Sequence, residues 1–127
     1  MEKPENKISY DVRGAIFKVY QNLGPGLMES VYEAALAYEL KKIGHNVKTQ
    51  IALPVKYENE YLELGFRLDL LVDDLVIVEI KSVESLAPVH HKQLLTYLKL
   101  TGLRLGLLVN FNTDDINNDI VRIVNNL

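Results

Sequence analysis

Two carboxylates and an ammonium, Asp69, Glu79 and Lys81, stand inside an otherwise aliphatic stretch, RLDLLVDDLVIVEIKS, that runs from Arg67 to Ser82. Ionised side chains are rarely buried unless they are paired or hold a metal, because leaving water is costly. Carboxylates brought close together disfavour joint ionisation unless a cation lies between them. Mg²⁺ or Mn²⁺ takes such a pair together with a backbone carbonyl and waters, since a small hard cation keeps an octahedral oxygen shell. An ammonium beside that shell can orient or help to deprotonate a water and offset charge that develops on a phosphodiester. The competing reading is a solvated strand face, on which Glu79 and Lys81 form an ordinary surface ion pair worth under ~1 kcal/mol.

Which reading holds depends on strand register. Side chains alternate along a strand, so Glu79 and Lys81 share a face and Ile80 lies on the other. Asp69 joins that face only if the connection after Val72 has odd length. A two-residue turn at Asp73-Asp74 sets Asp69 opposite Val78. A three-residue loop from Asp73 to Leu75, or one bulge, sets it opposite Glu79, and the odd-length connection is the one expected.

The surrounding elements follow from periodicity. Ser9 or Asp11 can cap a first helix with Val12, Ile16, Val19, Tyr20 and Leu23 at helical spacing, broken by Gly24-Pro25-Gly26. A second helix is expected to bury Val31, Ala34, Ala35, Tyr38 and Ile43, with Lys41 and Lys42 at its negative end and Gly44 just past it. From Val47 the period becomes two, and Pro54 marks an edge or bulged strand. A turn at Glu58-Asn59-Glu60 and strands over Tyr61 to Val72 and Leu75 to Lys81 make a three-strand meander. Pro88 opens a helix that stops at Gly102, Leu103 to Phe111 reads as a buried strand, and IVRIV closes the chain as a short strand. The order ααβββαβ(β) predicts an α/β (α+β) fold with a mixed central sheet flanked by helices.

Composition bounds the function. The 127 residues, 48% of them hydrophobic and 24% charged, suit one globular domain spanning residues 1–127. There is no cysteine, which leaves oxygen and imidazole as metal donors. No apolar run approaches the ~20 residues that cross a bilayer, and the N-terminus lacks a signal-peptide core, so a cytoplasmic protein without membrane contact is expected. The net charge of −3 and the scattered basic residues argue against tight nucleic-acid binding. His90-His91 does not suit chelation of one ion, because adjacent helical residues diverge by ~100°. His90 could instead contact phosphate at a cleft mouth. Gln93 and Tyr97 are helical i, i+4 neighbours, and Glu29 and Tyr32 lie three apart on one helical face.

Asp69, then Glu79-Ile80-Lys81 ten residues on, then a helix and another strand, resembles the signature of the PD-(D/E)xK nuclease superfamily. The segment GLMESVY, Gly26 to Tyr32, is similar to the G-x-x-E-x-x-Y motif of the GxxExxY protein family within it, and the similarity extends over roughly residues 10 to 125. Leu68 stands where the superfamily usually has proline. The resemblance implies a restriction-endonuclease-like core. It casts Asp69 and Glu79 as metal ligands with the Ile80 carbonyl as a further one, Lys81 as the catalytic lysine, and Glu29 and Gln93 as supporting catalytic groups. Tyr32, His90 and Tyr97 are candidate substrate contacts. The implied activity is hydrolysis of nucleic-acid phosphodiesters, DNA ahead of RNA, by a water activated by Mg²⁺ (or Mn²⁺). Grip on the substrate would be weak or partner-assisted, and a homodimer is compatible with so small a chain. The alternative is a non-catalytic module of the same fold that binds nucleic acid or a protein.

Overall fold

The structure is a computed structural model that describes residues 2–53, 55–62 and 66–127. Its centre is a five-stranded mixed sheet in the order β1-β4-β5-β6-β7, built from β1 (Val47–Ala52), β4 (Arg67–Val72), β5 (Val76–Lys81), β6 (Leu105–Asn110) and β7 (Ile120–Val124). Among the described residues only β5 and β6 run parallel, joined by helix α3 (Pro88–Thr101), and the other pairs of this sheet are antiparallel. Helices α1 (Pro4–Leu23) and α2 (Glu29–Lys42) cover one face of the sheet. The other face carries α3 over Leu68, Ile77 and Leu108. Strands β5 and β6 are the most apolar and the most buried, as expected where both faces are covered. Gly106 on β6 admits α3 closely, since a Cβ there would come within 2.9 Å of the Leu94 side chain.

Several expectations need correction. Helix α1 starts at Pro4, well before Ser9 or Asp11. Proline suits a first helical position, and buried Glu5 is fixed there by Arg104. Ser9 is buried and Asp11 bonds Lys7 and His45, so neither is a cap. Helix α2 buries Tyr32, Leu36, Ala37 and Leu40, while Val31, Tyr38 and Ile43 are exposed. The run AALAYEL is apolar nearly all round, so packing against α1 and the sheet selects the face rather than the sequence pattern.

The strand expected over Tyr61 to Val72 is also divided. Val55–Tyr57 and Glu60–Leu62 form a separate two-stranded hairpin, β2 and β3, turning at Glu58-Asn59, and β4 pairs directly with β1. Strand β1 is an edge strand, as expected, although Pro54 itself lies outside the described residues. The tail forms a 3₁₀ turn, Ile116–Asp119, and then the closing strand.

Candidate active site

The connection between β4 and β5 has three residues, Asp73 to Leu75, and the ladder pairs Val72 with Val76, Leu71 with Ile77 and Leu70 with Val78. Asp73 and Asp74 both take left-handed backbone, with φ of 53° and 57°, a conformation that aspartate tolerates better than most side chains. The same register carried one residue further sets Asp69 opposite Glu79, as the odd-length connection requires.

At that pair the regular ladder gives way to side chains. The Asp69 N–H donates to Glu79 Oε2 at 2.8 Å, and the Ile80 N–H donates to Asp69 Oδ2 at 2.8 Å. The strand also turns over here. Leu70 and Val72 pack with α1 and α2, yet Leu68, two residues away, packs with α3. A regular strand keeps such residues on one face, so Asp69 sits at a local reversal. The reversal opens a cleft of about 340 Å³ lined by Glu29, Ser30, Glu33, Gln50, Asp69 and Ile80.

The electrostatics of the cleft are those of crowded carboxylates. Glu79 is only 4% exposed, and burial, with the neighbouring Asp69 charge second, pushes its carboxyl up to about 8. Burial also raises Asp69, opposed by the Ile80 N–H and the Lys81 charge. Glu33 is raised by burial first and by Asp69 as well. Lys81 forms no ion pair among the described residues, and its charge lowers both Asp69 and Glu79. A divalent cation would relieve this repulsion, and every side-chain donor in the cleft is oxygen or a neutral amide. Among the described residues no three acidic or imidazole side chains gather as a self-sufficient metal cage. A two-carboxylate site completed by a carbonyl and water is the arrangement that suits Mg²⁺, which gives up its waters reluctantly.

A family model described as the PD-(D/E)XK nuclease superfamily matches residues 6–123. The chain belongs to the PD-(D/E)XK nuclease superfamily. Comparison with curated proteins and with solved structures gave no match. In this nuclease-superfamily chain the acidic pair is carried by β4 and β5, the lysine by the last residue of β5, and the flanking helix by α3.

The remaining candidates separate by position. Glu29 opens α2 and lines the cleft, and its Oε1 accepts the Ser82 N–H at 3.2 Å, which ties α2 to the chain just after Lys81. Tyr97 is buried in the α3 layer, edge-on to Phe66, and is raised first by burial and then by the Glu79 and Asp69 charges. Gln93, one turn earlier, is exposed and makes no hydrogen bond among the described residues. His90 accepts the Ala87 N–H at its Nδ1 at 3.0 Å, which fixes the start of α3 and leaves Nε2–H without a partner among the described residues.

Tyr32 is a correction. It has 0% exposure, stacks on Phe111 with centroids 4.3 Å apart, donates to Gly24 O and accepts from the Leu27 N–H. Both functions of its hydroxyl are used in shaping the loop before α2, so it is a core residue and not a substrate contact. Gln50 was not singled out by the sequence, and Glu33 stood out only as a further acid beside Glu29 and Tyr32, not as part of the site. Glu33 could have been found, because it lies four residues after Glu29 on the same helical face. Gln50 carries no such signal, since it is its left-handed backbone on β1, opposite the reversal at Asp69, that brings it to the cleft.

Proposed function

We propose that this protein is a divalent-cation-dependent phosphodiesterase of the GxxExxY type that cleaves nucleic acid, DNA ahead of RNA, with Mg²⁺ or Mn²⁺ between Asp69 and Glu79. The observation that carries the reading is the reciprocal Asp69–Glu79 arrangement at the fork of β4 and β5, with Lys81 two residues beyond Glu79 on the same face. The superfamily implies a nucleic-acid substrate and the general use of divalent metals. Asp69, Glu79 and the Ile80 carbonyl would hold the cation, which when bound polarises the phosphodiester and makes water a better nucleophile.

The residues of the chain do the rest. Lys81 orients the attacking water and stabilises charge that develops on the phosphate. Glu29 holds the segment after Lys81 through the Ser82 N–H. Tyr97, which feels the Glu79 and Asp69 charges, borders the acidic pair from α3, Gln93 one turn earlier on α3 would serve as a supporting group, and His90 Nε2–H would be offered to a phosphate oxygen. The competing reading, a non-catalytic binding module, draws on one observation: Glu29 and Glu33 add negative charge to a cleft meant for a polyanion.

Cleavage of labelled single- and double-stranded DNA and RNA in Mg²⁺ or Mn²⁺, with wild type, Lys81→Ala and Glu79→Ala compared, tests the proposal. Wild type should cleave, and each substitution should lower the rate by roughly 10²-fold or more. Equal rates in all three proteins refute the catalytic reading, and binding without cleavage by wild type supports the module instead.

A further inference from the structure

Strand β1 contains one residue whose backbone is out of keeping with its place. Gln50 has a φ of 52°, in the left-handed region that glycine enters freely and other side chains disfavour. It falls in the gap of the β1–β4 ladder, between the pairs Thr49–Leu70 and Ile51–Leu68, and therefore opposite Asp69. Its backbone carbonyl accepts from the Arg67 guanidinium at 3.3 Å. Its side-chain Nε2 donates to Glu33 Oε1 at 2.6 Å and lies 3.4 Å from Asp69 Oδ1. One amide thus directs its two hydrogens at two carboxylates, one on α2 and one on β4.

Asp69 is consequently held from both sides, by the Ile80 N–H on Oδ2 and by Gln50 on Oδ1. A glycine would relieve the backbone at position 50 and would give up the amide. Asparagine also accepts left-handed backbone, but its side chain is one methylene shorter and does not span Glu33 and Asp69.

We propose that Gln50 is a positioning residue for the cation site: the amide delivered by its left-handed backbone fixes the Asp69 carboxylate toward Glu79 and ties Glu33 of α2 to it. The inference rests on the reading of Asp69 and Glu79 as cation ligands. Groups that orient metal ligands through hydrogen bonds commonly change affinity by about 10–100-fold when removed.

The test measures Mn²⁺ affinity by titration calorimetry, and metal-free melting temperature, for wild type, Gln50→Gly, Gln50→Asn and Glu79→Gln. Gln50→Gly should melt at or above wild type yet bind Mn²⁺ about 10-fold more weakly or worse, and Gln50→Asn should show the same loss of affinity. Mn²⁺ affinities of both Gln50 variants within about twofold of wild type overturn the inference while leaving the cation site standing. Mn²⁺ binding that is absent in wild type, or unchanged in Glu79→Gln, overturns the cation site and this inference with it.

Discussion

Glu79 concentrates the chemistry of the molecule at the scale of one side chain. It is buried beside Asp69, and its carboxyl titrates far above the usual range, at about 8. A carboxyl raised on folding contributes stability that is fully present below its unfolded value, near 4.5, and is lost as pH rises through about 8. Metal-free protein should therefore melt lower at pH 8.5 than at pH 5.5. Glu79→Gln, which keeps the shape and an acceptor for the Asp69 N–H, should melt roughly 3 °C or more above wild type at pH 8.5 and little differently at pH 4.5. A calorimetric scan of both proteins across that range checks it, and a parallel pH dependence in the two contradicts it.

Asp69, Glu79 and Lys81 stand out in the sequence because ionised residues inside an aliphatic stretch demand partners, but spacing alone leaves a solvated strand face open and the family resemblance is what favours a site. The sequence does not show Gln50, and it leaves Tyr32 undecided between a partly buried ring and a substrate contact. Both placements depend on a strand reversal and on a loop geometry that no local pattern encodes.

The turn between β4 and β5 is the element on which the site depends, because its length decides which side of the sheet Asp69 occupies. It is pinned from outside the hairpin. His45, just after α2, places Nδ1 2.5 Å from Asp73 Oδ2 and Nε2 2.8 Å from Asp11 Oδ2 of α1. Asp73 also accepts the Asn46 N–H at 2.8 Å and donates its own N–H to Asn46 O at 2.8 Å. The two carboxylates outweigh burial and raise His45, whereas Asp11 is held below the usual carboxylate range by Lys7 and His45 against its own burial.

Two pH limits follow for this clamp. The raised histidine contributes stability present below its unfolded value near 6.5, and that contribution is lost as pH climbs through the folded value. The lowered Asp11 contributes stability present above about 3.8, and it is lost on acidification. His45→Ala should destabilise the protein by roughly 1–3 kcal/mol at pH 6 and by less at pH 9, measured by urea unfolding. An equal loss at both values contradicts the clamp. Element identities were largely legible from periodicity and from Pro88 and Gly102. The buried face of α2 was not, because its apolar residues surround the helix and only tertiary contacts choose among them.

At the scale of the whole molecule, the three layers place the cleft at one end of β4 and β5, where α2 approaches the sheet. The far end is closed by a different tie. Glu5, at the start of α1 and 2% exposed, takes two hydrogen bonds from Arg104 at 2.9 Å, joining the first helix to the chain just before β6. Glu5→Ala should cost roughly 1–3 kcal/mol of global stability, read by denaturant unfolding, and leave divalent-cation affinity within about twofold. A loss of cation affinity out of proportion to stability contradicts the separation of the two ends. Among the described residues no helix is long and apolar enough to cross a membrane. The layer order and mixed sheet were foreseeable from the sequence of element types. The separate β2–β3 hairpin was not, because its short strands continue the same alternation as the main sheet.

Location of Mn²⁺ by anomalous X-ray scattering from crystals soaked in the ion decides most directly whether the acidic pair is a cation site. One peak between the Asp69 and Glu79 carboxylates, with oxygen ligands at about 2.1–2.2 Å and the Ile80 carbonyl in the same shell, is the expected result. A saturated soak with no peak there, or with Mn²⁺ bound only elsewhere, contradicts it.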